Sequence, residues 1–210
     1  YEDTGTTPKF FWDASAESLG IGTSTTTGFD SGADDLIVGS GSASTGLTIF
    51  SGTTGYGSIH FADANSSPAN YVGYVNYNHS TNSMQFATNS TERMRITSSG
   101  SVGIGVVPEA WSSLYGTKAL QVGAQASLSD INGDLHLSSN AYYDATNARW
   151  EYINADYATK YTQVDGVHQW LTAASGTADA AITWSESMRI SAGNLLVGQT
   201  TGTIFNSSSV

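Results

Sequence analysis

The chain has no cysteine, three prolines and seven lysines and arginines in 210 residues. The first absence excludes a disulfide framework and any thiolate metal site, and it suits a protein assembled in a reducing compartment. Eighteen acidic residues against those seven basic ones leave a formal net charge of −11. That balance excludes the basic footprint nucleic acid requires, and it disfavours anionic membrane surfaces. No uninterrupted run of 18 apolar residues occurs, and no charged-then-apolar export signal, so neither a spanning helix nor a standard leader is expected. Apolar stripes at helical spacing are missing too. Only Pro108 to Leu120 leans helical, and less than about 10% helix is expected. Tyr1 rather than Met opens the chain, so it reads as a piece of a longer protein.

What is present is β-structure. Serine and threonine make up about a quarter of the residues, and 11% are aromatic while only 12% are charged. Disordered chains show the opposite balance, with high charge and few aromatics. Period-2 alternation recurs in Ser58-Ile59-His60-Phe61, Met84-Gln85-Phe86, Arg93-Met94-Arg95-Ile96, Leu135-His136-Leu137 and Arg149-Trp150-Glu151-Tyr152. Gly, Ser, Asn and Asp clusters separate these runs and supply tight turns. Tyr71 to Tyr77, then Asn78 to Asn82 and Ser83 to Ala87, reads as a hairpin.

One phrase occurs five times: an aliphatic among small or polar residues, then Ile or Val, then Gly. Its copies end at Gly22, Gly39, Gly105, Gly123 and Gly198. Gly22 and Gly105 lie 83 residues apart, Gly39 and Gly123 84, and Gly105 and Gly198 93. A longer repeat aligns Glu92 to Gly105, containing Met94-Arg95-Ile96, with Glu186 to Gly198, containing Met188-Arg189-Ile190. Self-similarity at such a period marks an array. The units are placed at 24–108 and 109–199, after the end of an upstream module at 1–23; residues 200–210 form a junction or the start of another.

Lys9 to Thr23, with its Trp12-Asp13-Ala14-Ser15-Ala16-Glu17-Ser18 stretch, resembles a module of tail-fibre proteins of tailed bacteriophages, marine phages especially. Glu92 to Gly105 resembles the same family's Glu-Arg-Met-Arg-Ile…Gly…Val-Gly-Ile-Gly signature, and Glu186 to Gly198 is a looser copy. The resemblance implies an elongated homotrimeric all-β fibre, β-prism or β-helix-like, built from repeated strand-rich modules. It implies a virion component, assembled in the host cytoplasm, that is often followed by a self-cleaving intramolecular chaperone; no segment here resembles that chaperone. Its expected partners are two identical chains, other tail-fibre segments, and a host surface glycan or outer-membrane protein.

Physical chemistry agrees on trimerisation, because strands bearing Met94 and Ile96, or Met188 and Ile190, bury too little within one chain. At about 25 cal/mol per Å² of apolar area, three chains gain what one cannot. Arg95 and Arg189, each three residues after a glutamate, are expected to form an ion pair or carbonyl clamp between neighbouring chains, with an anion or sugar-acid contact as the other reading. The best ligand candidates lie in the second insertion: Tyr142, Tyr143, Asp144, Asn147 and Tyr157, with Asn140 and Asp156 nearby. Aromatic faces beside amides and carboxylates suit sugars. Trp150, Tyr152 and Trp170 are read as interchain core, and Tyr142, Tyr143 and Tyr157 as the exposed members. A smaller set is Tyr56, Tyr71, Tyr74 and Tyr77. His60 and His136 alternate away from apolar neighbours and are expected in solvent. No catalytic constellation, metal site or cofactor is expected: Asp34 and Asp35 point to opposite faces, and no nucleophile motif occurs. A depolymerising tailspike and a bacterial trimeric adhesin remain as alternatives.

Overall fold

The computed structural model describes residues 9–41 and 44–198. It is all-β, and two single 3-10 turns, Ala69–Tyr71 and Leu114–Gly116, are the helical structure among the described residues. The second lies within the segment expected to lean helical. The chain divides into two units, residues 1–50 and 51–210. Residues 1–8 and the expected junction at 200–210 lie outside the described residues.

In the first unit β1 (Phe10–Asp13) pairs antiparallel with β2 (Ser18–Ile21), and β2 pairs parallel with β3 (Leu36–Val38). The Asp13 carboxylate organises the β1–β2 turn. Its Oδ1 accepts the Ser15 hydroxyl at 2.6 Å and the Ser15 backbone N–H at 2.9 Å, and its Oδ2 accepts the Thr26 hydroxyl at 2.7 Å. These bonds, led by those from the Ser15 and Thr26 hydroxyls, hold its pKa down at about 2.

The second unit is one sheet of twelve strands. These are β4 (Tyr56–Phe61), β5 (Gly73–Asn78), β6 (Ser83–Thr88), β7 (Thr91–Ile96), β8 (Val102–Ile104), β9 (Lys118–Val122), β10 (Ala126–Ile131), β11 (Asp134–Ser139), β14 (Ala158–Val164), β15 (Val167–Ala173), β16 (Ser185–Ser191) and β17 (Asn194–Val197), while β12 (Ala141–Tyr143) and β13 (Trp150–Tyr152) form a separate ribbon. Every neighbouring pair in the sheet is antiparallel except β8 and β9. The sheet therefore continues across the boundary read between modules at residue 108. The hairpin read from the sequence is β5–β6, paired from Gly73↔Thr88 to Asn78↔Ser83.

The five-fold phrase has one structural meaning. Its copies form β2, β3, β8, β9 and β17, and all five closing glycines have positive φ, from +59° at Gly123 to +116° at Gly39. A side chain there carries the steric penalty of the left-handed region. The bonds repeat as well. Gly22, Gly105 and Gly198 donate to the carbonyls of Lys9, Arg93 and Ser187, and Gly39 and Gly123 donate to those of Ile21 and Ile104. Thus β1-β2-β3 and β7-β8-β9 are the same motif: an antiparallel pair followed by a parallel return.

Both Met-Arg-Ile strands carry a bulge at the same place, opposite Phe86/Ala87 and Trp170/Leu171. Ordinary alternation puts residues three apart on opposite faces. The extra residue, Arg93 or Ser187, restores Glu and Arg to one face. Arg95 then clamps Glu92 with two bonds of 2.7 Å, and Arg189 clamps Glu186 with two of 2.6 Å. These ion pairs lie within one strand, not between neighbouring chains as the repeat alone implied.

The two sheet faces are unlike. On one, the register aligns Tyr77, Met84, Ile96, Val102, Leu120, Leu128, Leu137, Tyr161, Trp170, Met188 and Val197 in a row across eleven strands. Met94 and Ile190 flank it on the same face. Among the described residues nothing of the second unit covers this face: Leu128 is 42% exposed, Leu137 55% and Val197 66%. The opposite face carries Gln85, Arg95, Gln121, Ser127, Ser129, His136, Ser138, Lys160, Thr162 and Arg189. Its middle is buried under the β12–β13 ribbon and the segments 108–117 and 174–184. The core is small and sits there, in two clusters around Trp111, Ala119 and Tyr142 and around Ala141, Tyr152, Ala158 and Ala173.

Candidate functional site

The second insertion is mostly framework. Tyr142, expected to be exposed, is 4% exposed and stacks edge-on against Trp111 at 6.2 Å. Its hydroxyl lies 3.1 Å from both Glu151 Oε2 and Asp179 Oδ1. Burial first, then these two carboxylates, raises its pKa far above the usual phenol value. Asp144 is buried and accepts the backbone N–H groups of Thr146 and Asn147 at 2.9 and 2.6 Å, so it shapes a turn. Tyr143 is half-buried against Trp150 and donates its hydroxyl to the Ala148 carbonyl at 2.7 Å.

Asn147 is exposed, but its amide donates to Glu151 Oε1, which also pairs with Arg149. Asn140, 1% exposed, staples the insertion through Asn154 and the Tyr157 carbonyl. Tyr157, at 69%, is the one aromatic candidate of this set with a largely free ring. The ribbon is covered on both sides, which alternation within Arg149-Trp150-Glu151-Tyr152 does not reveal: Glu151 is as buried as Tyr152. Tyr152 is core as expected, although within the chain.

His136 also departs from expectation, being 6% exposed. Its Nδ1 lies 2.8 Å from the Thr162 hydroxyl, and Trp150 stacks edge-on at 5.2 Å. Burial, then the charge of Lys160, holds its pKa down to about 4. Lys160 packs its ammonium 4.1 Å from the Trp150 ring centre and 5.0 Å from that of Trp184, and burial lowers it to about 8.

The corresponding polar face of the first module is only partly covered among the described residues, with Gln85 buried and Tyr56 and His60 exposed. There β4, β5, β6 and β7 and the 69–71 turn surround a cleft of about 450 Å³. Tyr56, Tyr71, Tyr74 and His60 supply rings, and Ser58, Asn76, Gln85 and Glu92 supply polar groups. Tyr56, Ser58 and His60 alternate along β4, and Tyr74 and Asn76 along β5, so period 2 delivers all five to one face. The His60 ring sits 6.4 Å from Tyr71 and 6.1 Å from Tyr74. Burial and then Glu92 raise the Tyr74 pKa. Tyr77, grouped with these tyrosines from the sequence, is on the apolar face against His79.

No protein-family model, curated protein or solved structure matches the chain. Its geometry is therefore what speaks. The cleft joins ring faces to amides and a carboxylate, and its volume lies in the range of small-ligand sites. Sequence reasoning found its three tyrosines but missed Ser58, His60, Asn76, Gln85 and Glu92. The signal was available: every second residue of β4 and β5 shares that face. Among the described residues, no group of three or more His, Asp or Glu is arranged to hold a metal ion.

Proposed function

We propose that the chain is a segment of a homotrimeric fibre, of the kind found on tailed bacteriophages, which attaches the particle to a host surface by multivalent contacts and without catalysis. The uncovered apolar row across eleven strands carries this reading. A lone chain that leaves Leu128, Leu137, Leu195 and Val197 in water gains little from its own strands. Burying the rest of each such side chain contributes about 1 kcal/mol. Three copies closing these faces on one another around an axis, as in a β-prism, supply that burial, and Met94, Ile96, Met188 and Ile190 stand on the surface that would close. The repeated parallel-return motif and the resemblance of Lys9 to Thr23 and Glu92 to Gly105 support the same reading. Three weak sites on one fibre raise avidity without any single strong contact.

The test uses bacterial capsular and lipopolysaccharide preparations immobilised as a surface. Retention of the protein with no new reducing ends is expected. Release of reducing ends would replace this reading with a depolymerising tailspike. Absence of retention on every bacterial surface preparation, with intact cells included, would count against attachment.

A further inference from the structure

We propose that the open cleft of the first module, between β4, β5, β6, β7 and the 69–71 turn, binds a neutral pyranose glycan. The inference rests on the attachment reading above only for its biological sense; the binding chemistry stands on the cleft itself.

The comparison between modules is informative. On the polar face of the second module, Gln169 gives its amide to Glu186 at 2.9 Å, and Trp150 and Trp184 cover the neighbouring Lys160. The first module repeats the Glu–Arg clamp as Glu92–Arg95, where the glutamate is more exposed than its counterpart Glu186. Gln85, the counterpart of Gln169, makes no matching bond to Glu92 among the described residues. Asn76 Oδ1 is buried and has no hydrogen-bond partner. Asn76 lines the cleft, and turning its amide toward the opening lets a ligand hydroxyl pair this acceptor, a bond the free chain does not make. An amide acceptor, a second amide and Ser58 beside tyrosine rings match a sugar ring, which offers hydroxyls at its edge and C–H groups on its face.

Charge narrows the class. The clamp by Arg95 neutralises Glu92, so among the described residues the cleft has no free cation to draw uronic or sialic acids, and the chain's net charge of −11 repels them. The same clamp removes the uncompensated carboxylate that an organic cation would seek among tyrosines. The cleft also lies on the face opposite the apolar row, so assembly through that row leaves it free.

Maltotriose, cellotriose, mannotriose and triacetylchitotriose, each at millimolar concentration, are tested by saturation-transfer NMR on the full chain, with choline chloride and glucuronic acid alongside. At least one neutral trisaccharide should bind. Tyr71→Ala and Gln85→Ala should each weaken it tenfold or more, and Tyr157→Ala should leave it unchanged; circular dichroism checks that the variants remain folded. If Tyr71→Ala unfolds, Gln85→Ala decides. No signal from any of the four, binding that survives both cleft variants, or binding of only choline or glucuronic acid would overturn the proposal. A trimer without sugar binding would sink this inference and spare the fibre reading. A sugar-binding monomer would do the reverse.

Discussion

Gly103→Ala separates two reasons for which this fold uses glycine. Gly103 is in the middle of β8, paired with Arg95 on one side and Gln121 on the other. A Cβ there would meet the Val106 carbonyl oxygen at 2.2 Å and Pro108 Cδ at 2.7 Å. That carbonyl cannot easily retreat. The return loop is pinned on one side by Gly105 donating to Arg93, and on the other by Gln121 Oε1, which accepts the Glu109 N–H at 2.9 Å and the Trp111 indole at 3.3 Å. Overpacking against fixed backbone costs about 3 kcal/mol. Gly105, two residues on, has open space around its Cβ direction but φ of +69°, so Gly105→Ala carries only the left-handed penalty of about 1 kcal/mol. For a domain of this size each kcal/mol lowers Tm by about 2–4 °C. Calorimetry at one protein concentration should therefore show Gly103→Ala melting about 6–12 °C lower and Gly105→Ala about 2–4 °C lower. Gly20 repeats the crowding, with the Thr23 carbonyl oxygen 2.5 Å away. If Gly103→Ala melts no lower than Gly105→Ala, the parallel return is not packed as described.

Four further outcomes are expected. Leu137→Glu, at a half-exposed position on the apolar row, should change the intrinsic stability of one chain by less than about 0.5 kcal/mol yet reduce the mass in solution to 22.0 kDa; unchanged mass would remove this face from the assembly. Tyr142→Phe should cost about 1–3 kcal/mol in denaturant unfolding, since its hydroxyl serves the buried Glu151 carboxylate as well as the exposed Asp179. His136, held near 4 in the folded chain against 6.5 ordinarily, contributes stability that is complete above pH 6.5 and lost as pH falls toward 4; His136→Asn should flatten Tm over that window. Arg95→Gln should cost under about 1 kcal/mol, because the clamped pair is partly exposed, and a much larger loss would indicate that another chain uses the arginine.

The strands and the repeat were readable because period-2 alternation and left-handed glycines act locally. The five phrases became five strands for that reason. Which face water wets was not readable. Leu135-His136-Leu137 states only that histidine and leucines part company, and it is the histidine that is covered. The cover comes from an insertion whose own strand, with Glu151 and Tyr152 both buried, has no dry and wet side. The Glu–Arg clamps were read as links between chains because they recur at equivalent positions of both units, and a three-residue spacing in a regular strand would not bring the two side chains to one face. The bulge that reverses this depends on strand pairing, which a single segment does not record. The cleft was partly legible, as Tyr56 and Tyr74 in its strands and Tyr71 in its turn. Alternation along β5 adds Asn76, while Gln85 and Glu92 needed the register.

The central claim is that the apolar row is a surface between identical chains. Multi-angle light scattering on the purified chain across a hundredfold concentration range tests it most directly. The account predicts a constant mass of three times 22.0 kDa. A stable monomer at every concentration would contradict it.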